Sequence, residues 1–500
     1  MRRLALLLAL LFLAAPVRAT WSIILVDRRT GEIAIASATC LTGFDLKNGA
    51  SVVRVGRGAA AAQSFVDSSG QNRLLIFTQL GAGTDPAQIL AQLAASDPGH
   101  QTRQYGIVDV QGRAIGFTGN QAGAWAGHLT GSIGDITYAI QGNVLTGQPV
   151  VQAAEQAVRL TAGDLAEKLM AAMEAARAMG GDGRCSCANG PTACGAPPAT
   201  FTYSAYIGYM LIARPGDTDG ICNANAGCAN GSYFLDLNIA NQSGTAPDPV
   251  FQLRTAFLNW RMQKVLRPDH FLSSVRLDVP RLQASGLTTT TARIVLRDWR
   301  NARIPFGGAQ VTASVVAGGV PITLGTVVDH GDGSYSLPVT SGTVAGTAKL
   351  RIVVDDGAGP VQLGPDAEVT VASDALWVDR SELDAWQGGS LQFQWDGGAA
   401  RAGRYAVMLA SASGTAPGIP LAPGVVLPLV PDPLMALSLD LAASGSPSFA
   451  GVLDANGRRS SSLAIPGGVL APLRGSDLAF AWGTIGPIDF ASNAVRVTLR

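Results

Sequence analysis

The strongest constraint on this chain is a change of texture near residue 270. Before it, hairpin-like strand pairs alternate with helical stretches. After it, helical periodicity vanishes and short strands follow one another, separated by Gly, Asp, Asn and Pro. A length of 500 residues exceeds what one hydrophobic core holds, so the two textures predict separate folding units.

In the front part, residues 20–39 read as a hairpin: TWSIILV, then turn residues DRRTGE, then alternating EIAIAS. Further strands are predicted around 52–55, 58–64 and 73–79. Thr84-Asp85-Pro86 opens a helix with Ile89, Leu90 and Leu93 on one face. A second hairpin spans 103–119 around Gln111-Gly112. A helical pattern runs from about 149 to 179 with a break near Gly163. Residues 203–214 read as a strand, and Asp248-Pro249 opens a helix to about 265. Strands arriving in hairpins disfavour a parallel doubly wound sheet. The predicted fold class is α+β, a four-layer αββα sandwich over 20–268, followed by two all-β sandwich domains at 269–373 and 374–500.

Residues 1–19 have the three parts of a secretory signal. Arg2 and Arg3 form the basic start, Leu4 to Ala15 the apolar run, and Val17 and Ala19 the small residues before a cut. The run is shorter than the roughly 20 residues a membrane span needs. The expected location is therefore secreted or periplasmic, with no stable membrane span after cleavage. Six cysteines agree with export: Cys40, and Cys185, Cys187, Cys194, Cys222 and Cys228 in an excursion over 184–230. They read as disulfides that staple the excursion, and the Cys185-Ser-Cys187 separation does not suit a zinc knuckle. Asp217, Asp219 and Asn223 lie close together in that excursion and are candidate Ca²⁺ ligands, though without the regular spacing of an EF-hand loop. No metal and no cofactor is predicted. With 36 basic and 36 acidic residues, nothing points to nucleic acid.

Cleavage after Ala19 makes Thr20 the mature N-terminus. A terminal threonine carries its own base, since the α-amine, with a pKa of about 7.7–8.0, can take the hydroxyl proton. Thr20 is thus a candidate nucleophile. The other reading is the plain first residue of a strand.

TWSIILVDRRTGEIAIAS, GRGAAAAQS, FTGNQAGAWAGH, YAIQGNVLTG and GGDGR resemble the domain-of-unknown-function 1028 family over about 20–265. That family is similar in fold to N-terminal nucleophile hydrolases. The resemblance implies an amide-hydrolase class without naming a substrate. It also implies a polar neighbour to Thr20 from the second strand, for which Ser37 is the candidate, with a plain outward-facing strand serine as the other reading. Lys47 or Arg54 would supply a positive charge that lowers the amine pKa, or are solvated surface charges. Asn143, in the family's YAxQGN motif, is the candidate oxyanion donor, with an ordinary turn as the other reading. Gln141, Thr118, Gly119 and His128 are candidate substrate contacts. Trp125 is an apolar wall or core packing, and Asp182 a loop anchor or a helix-end turn. Residues 273–372, with GDGSY and AGTAKLRIVVDDG, resemble the immunoglobulin-like domains of invasin and intimin type.

Two functions follow. One is an exported amidohydrolase with Thr20 as nucleophile, acting on a small amide or a cell-wall-derived substrate. The other is a non-catalytic cell-envelope binding or adhesion protein. A homo-oligomer is compatible with either.

Overall fold

The computed structural model describes residues 20–190 and 193–500. The predicted signal, 1–19, lies outside the described residues. The chain divides into two compact units, with the boundary between Gln263 and Lys264.

The front unit begins with β1 (Thr20–Asp27) and β2 (Glu32–Thr39), antiparallel, with Trp21 opposite Ala38. Then come α1 (Leu46–Ala50), β3 (Ser51–Arg54), β4 (Gly58–Ser64), α2 (Gln71–Ala82), α3 (Pro86–Ser96), β5 (Arg103–Asp109), β6 (Ala114–Thr118), β7 (Ala126–Ile133) and β8 (Ile136–Asn143). They are followed by α4 (Pro149–Leu160), α5 (Leu165–Ala178), α6 (Gly183–Ser186), β9 (Ile207–Ala213), β10 (Leu235–Ile239) and α7 (Pro249–Gln263). The strands form a six-stranded sheet, β10-β9-β2-β1-β8-β7, and a four-stranded sheet, β3-β4-β5-β6. Every neighbouring pair in both is antiparallel.

The period-2 alternation of the strands builds the layers. Trp21, Ile23 and Leu25 of β1 pack with Val150, Met170, Met173 and Phe257 of α4, α5 and α7. Ile24 and Val26, on the other face, meet Val53, Ala59, Ala61 and Val108 of the second sheet. That sheet's outer face, with Ala60 and Ile107, packs on Ile76, Leu80, Ile89 and Leu93 of α2 and α3. The front unit is therefore mixed α+β, with helices, sheet, sheet and helices in succession. The break near Gly163 separates α4 from α5, and the Asp85 side chain caps α3 by accepting from the Ala87 N–H.

The predicted strand over 73–79 is a correction: these residues lie within α2. The run Leu74–Phe77 has the composition of a buried strand, and a short apolar run does not declare its period. Gly70 and Gly83, both left-handed with φ +72° and +76°, bracket a twelve-residue helix instead. Ile76 and Leu80 enter the core, and Leu75 and Phe77 pack at its edge.

The second unit is β-rich. Around Leu282, Ile294, Leu337, Leu350 and Val369, one sheet containing Thr289–Val295 and Ser334–Ser341 packs with another containing Gly346–Asp355 and Pro360–Ala372. A further core holds Phe393, Trp395, Phe480 and Trp482, with the two indoles stacked at 5.6 Å. Trp377 joins the first of these cores and donates from Nε1 to the Arg281 carbonyl at 2.9 Å. The expectation of an all-β tail is corrected at one element: Pro433–Ala443 is a helix, α8. Asp432 caps it by accepting from the Met435 N–H, and Pro433 occupies its first turn. Its almost uniformly apolar sequence shows no amphipathic stripe, which is why periodicity missed it. Among the described residues, no helix is long and apolar enough to cross a membrane.

Candidate functional site

Thr20 is the first residue of β1, the strand flanked by β2 and β8 in the larger sheet. Its register partner on β8 is Asn143, whose own partner on β7 is Ala126. Thr20 is only 3% exposed, so it sits within the sheet end rather than on an open surface. In the intact chain its nitrogen is the peptide nitrogen after Ala19, so an amine exists there only once residues 1–19 are removed.

Between the two sheets this end of the unit is polar. Gln63, at the end of β4, donates from Nε2 to the Thr20 carbonyl and to Gln104 Oε1, both at 2.8 Å. Its Oε1 lies 2.5 Å from Ser22 Oγ. The Gln104 Nε2 group lies 2.9 Å from Thr118 Oγ1 and 2.9 Å from the Gly142 carbonyl. Thr118 Oγ1 is in turn 2.9 Å from His128 Nδ1. A continuous chain of hydrogen bonds thus joins the Thr20 carbonyl to an exposed imidazole. Burial strengthens the links around Gln63 and Gln104 and makes an unmade one there costly.

Ser37 is fully buried; its hydroxyl donates to the Trp21 carbonyl at 2.6 Å and lies 2.9 Å from Ser22 Oγ. Asn143 is equally buried, and its amide donates to the Ala122 carbonyl at 3.0 Å and towards Ser64 Oγ at 3.3 Å. Gln141 is fully buried, with Nε2 directed to the Ala61 carbonyl at 3.3 Å. Thr118, Gly119 and His128 line a surface groove of about 780 Å³ with Asn120, Gln121 and Trp125. The predicted residues therefore fall into two groups. Thr20, Ser37, Gln141 and Asn143 are buried, while Thr118, Gly119 and His128 line the groove. Partial desolvation lowers the His128 pKa below its ordinary value, favouring a neutral ring near pH 7.

Lys47 and Arg54 carry a correction. Lys47 Nζ is 2.5 Å from Asp236 and Arg54 Nη1 is 2.8 Å from Asp219, so each charge is spent on a carboxylate. Asp182 anchors the GGD segment: its Oδ2 accepts from the Cys40 N–H at 2.7 Å and from Arg184 at 2.8 Å. Gly181, with φ +61°, lies where a Cβ would meet the Trp21 ring at 2.6 Å, so the ring requires glycine there. The cysteines form three disulfides, Cys40–Cys185, Cys187–Cys194 and Cys222–Cys228. The first ties the excursion to the end of β2 rather than to itself. Asp217 accepts from the Arg214 and Phe234 N–H groups, and Asp219 holds Arg54, so neither joins a cation site with Asn223. Among the described residues no group of three or more His, Cys, Asp or Glu could hold a metal. Gln63 and Gln104 are the site residues the sequence reading missed. Their signal was a glutamine at an apolar strand's end, GAAAAQ, and one at a strand's start, RQYGIVD.

Residues 20–189 match the model described as a family of unknown function, DUF1028, and residues 269–374 match invasin domain 3. Both agree with the resemblances read in the sequence. No curated protein matches the chain. Among solved structures, a DUF1028 protein of Silicibacter pomeroyi is 20% identical, covering 48% of this chain and 85% of its own, with a TM-score of 0.36. The Yersinia pseudotuberculosis adhesin InvE is 20% identical over 46% of this chain and 59% of its own, with a TM-score of 0.19. Invasin, described as a bacterial integrin-binding protein, is 10% identical over 96% of this chain and 72% of its own, with a TM-score of 0.18.

Proposed function

We propose that this is an exported cell-envelope binding or adhesion protein whose front unit serves as a binding module. The observation that carries the reading is the match of residues 269–374 to an adhesin domain, in a chain whose six cysteines are all paired. The state of the candidate catalytic groups adds support. Ser37 and Asn143 have no solvent exposure, and their side chains bond inward. The test is cosedimentation of the full mature chain with purified bacterial envelopes. Saturable retention is expected, and absence of retention rejects the reading.

A second reading is favoured by one specific arrangement: Thr20 heads an interior strand, opposite Asn143, with its carbonyl held by Gln63. In this reading the exported protein is an amidohydrolase. The mature amine takes the Thr20 hydroxyl proton and the oxygen attacks an amide carbonyl; the C–N bond breaks, the leaving amine departs with that proton, and water then hydrolyses the Thr20 ester to release the acid and restore the hydroxyl. Intact mass of the exported protein must then show Thr20 as a free N-terminus. On an amide panel, Thr20→Ala abolishes turnover and Thr20→Ser retains part of it. Equal turnover by the alanine variant eliminates the reading.

A further inference from the structure

The groove beside β6 and β7 has a composition that selects among ligand chemistries. Its side-chain wall is Thr118, Asn120, Gln121, Trp125 and His128, with glycine backbone at 119, 123 and 127. None of the lining residues carries a carboxylate, ammonium or guanidinium. A phosphate or carboxylate ligand would call for arginine or lysine. A cationic ligand would call for carboxylates or an aromatic cage, and a lipid-like one for predominantly apolar walls. What remains is an uncharged ligand rich in groups that both donate and accept hydrogen bonds, with one face flat enough to lie on an indole.

The two rings are seated rather than loose. A Cβ at Gly127 would lie 2.6 Å from the Trp125 ring, and one at Gly116 would lie 2.2 Å from the His128 ring. Each ring therefore rests against backbone that only glycine allows. His128 is held further by Thr118, and Thr118 by the buried Gln104–Gln63 pair. Asn120 and Gln121 present exposed amides, each with two donors and a carbonyl acceptor. Those amides match hydroxyl groups, and the indole matches the apolar C–H face of a pyranose ring. A volume of about 780 Å³ falls in the range of sites for drug-sized ligands, which suits a short chain of sugars.

We infer that this groove is a binding site for a neutral saccharide, with Trp125 as the stacking platform and Asn120, Gln121 and His128 as hydroxyl partners. The inference rests on the binding-module reading of the front unit and adds its ligand class. The test is isothermal titration of the full mature chain with uncharged trisaccharides, N-acetylated and not, and with an uncharged tripeptide amide for comparison. Saturable saccharide binding is expected. Trp125→Ala weakens it about tenfold or more, and Asn120→Ala, at an exposed side chain, weakens it about fivefold. The inference is overturned by no saturable saccharide binding, by preference for the peptide, or by affinity unchanged in both variants. Envelope retention is measured on the same variants. Retention without saccharide binding removes the ligand class and leaves the envelope reading standing. Loss of retention in wild type removes that reading whatever the titration shows.

Discussion

Removing the Cys40–Cys185 bridge should destabilise the front unit far more than removing Cys187–Cys194. The two bridges close loops of very different length, with sequence separations of 145 and 7. Chain-entropy arithmetic assigns about 5 kcal/mol to the long loop and about 2.4 kcal/mol to the short one. The difference of about 2.6 kcal/mol corresponds to roughly 70-fold in the unfolding equilibrium. The double variants Cys40→Ser/Cys185→Ser and Cys187→Ser/Cys194→Ser avoid stray thiols, and none of these four positions is in the buried core. Hydrogen exchange of the full chain through a urea series reads the effect on peptides from β1 and β2. Peptides from residues 264–500 supply an internal control, because that unit contains no cysteine. The expected result is a large loss of protection in the front unit for the first variant, a smaller one for the second, and no change in the control. Equal losses, or a larger one for the short bridge, would refute the loop-length reasoning.

Other outcomes follow from buried polar groups. Asp248 caps α7 through the Val250 N–H and holds Ser204 N and Oγ at 2.7 and 2.8 Å, with Arg177 at 3.3 Å. Asp248→Ala should cost about 3–5 kcal/mol, from the lost cap and the charge-assisted bonds, measured by the same urea series. For Asp97, burial opposes ionisation. Bonds from Arg103, Asn72 and the Gly99 N–H, with the Arg103 charge, outweigh it and hold the carboxyl at about 2. A pKa lowered on folding gives stability that is complete above the unfolded value near 4 and is lost as pH falls towards about 2. Asp97→Asn should therefore flatten the acid limb of front-unit stability between about pH 4 and 2. An unchanged limb in that variant would mean the arrangement does not persist in solution.

Most of the front unit was legible because its signals are local. The hairpin of β1 and β2, the Asp85 and Asp248 helix starts, and the break at Gly163 each depend on residues close in sequence. The α2 segment was misread because Leu74–Phe77 looks alike as strand or helix, and its packing face is set by α3 and the four-stranded sheet. Helix α8 was missed because its Leu437, Leu439 and Leu441 are all exposed, so no apolar stripe marks a buried face. The site was half legible. Thr20, Asn143, Thr118 and His128 stood out by motif and chain position, whereas Gln63 and Gln104 did not.

The sequence by itself determined the division near residue 270, the two family resemblances, the confinement of the six cysteines to the front unit and the place of Thr20 as first residue of its strand. These depend on composition and on neighbours within a few residues. Only the tertiary structure decided that Gln63 and Gln104 link Thr20 to His128, that Lys47 and Arg54 spend their charges elsewhere, and that Trp125 and His128 share one uncharged groove. Those facts arise where strands distant in sequence meet across two packed sheets. There, a side chain's role is set by the partner that burial forces on it.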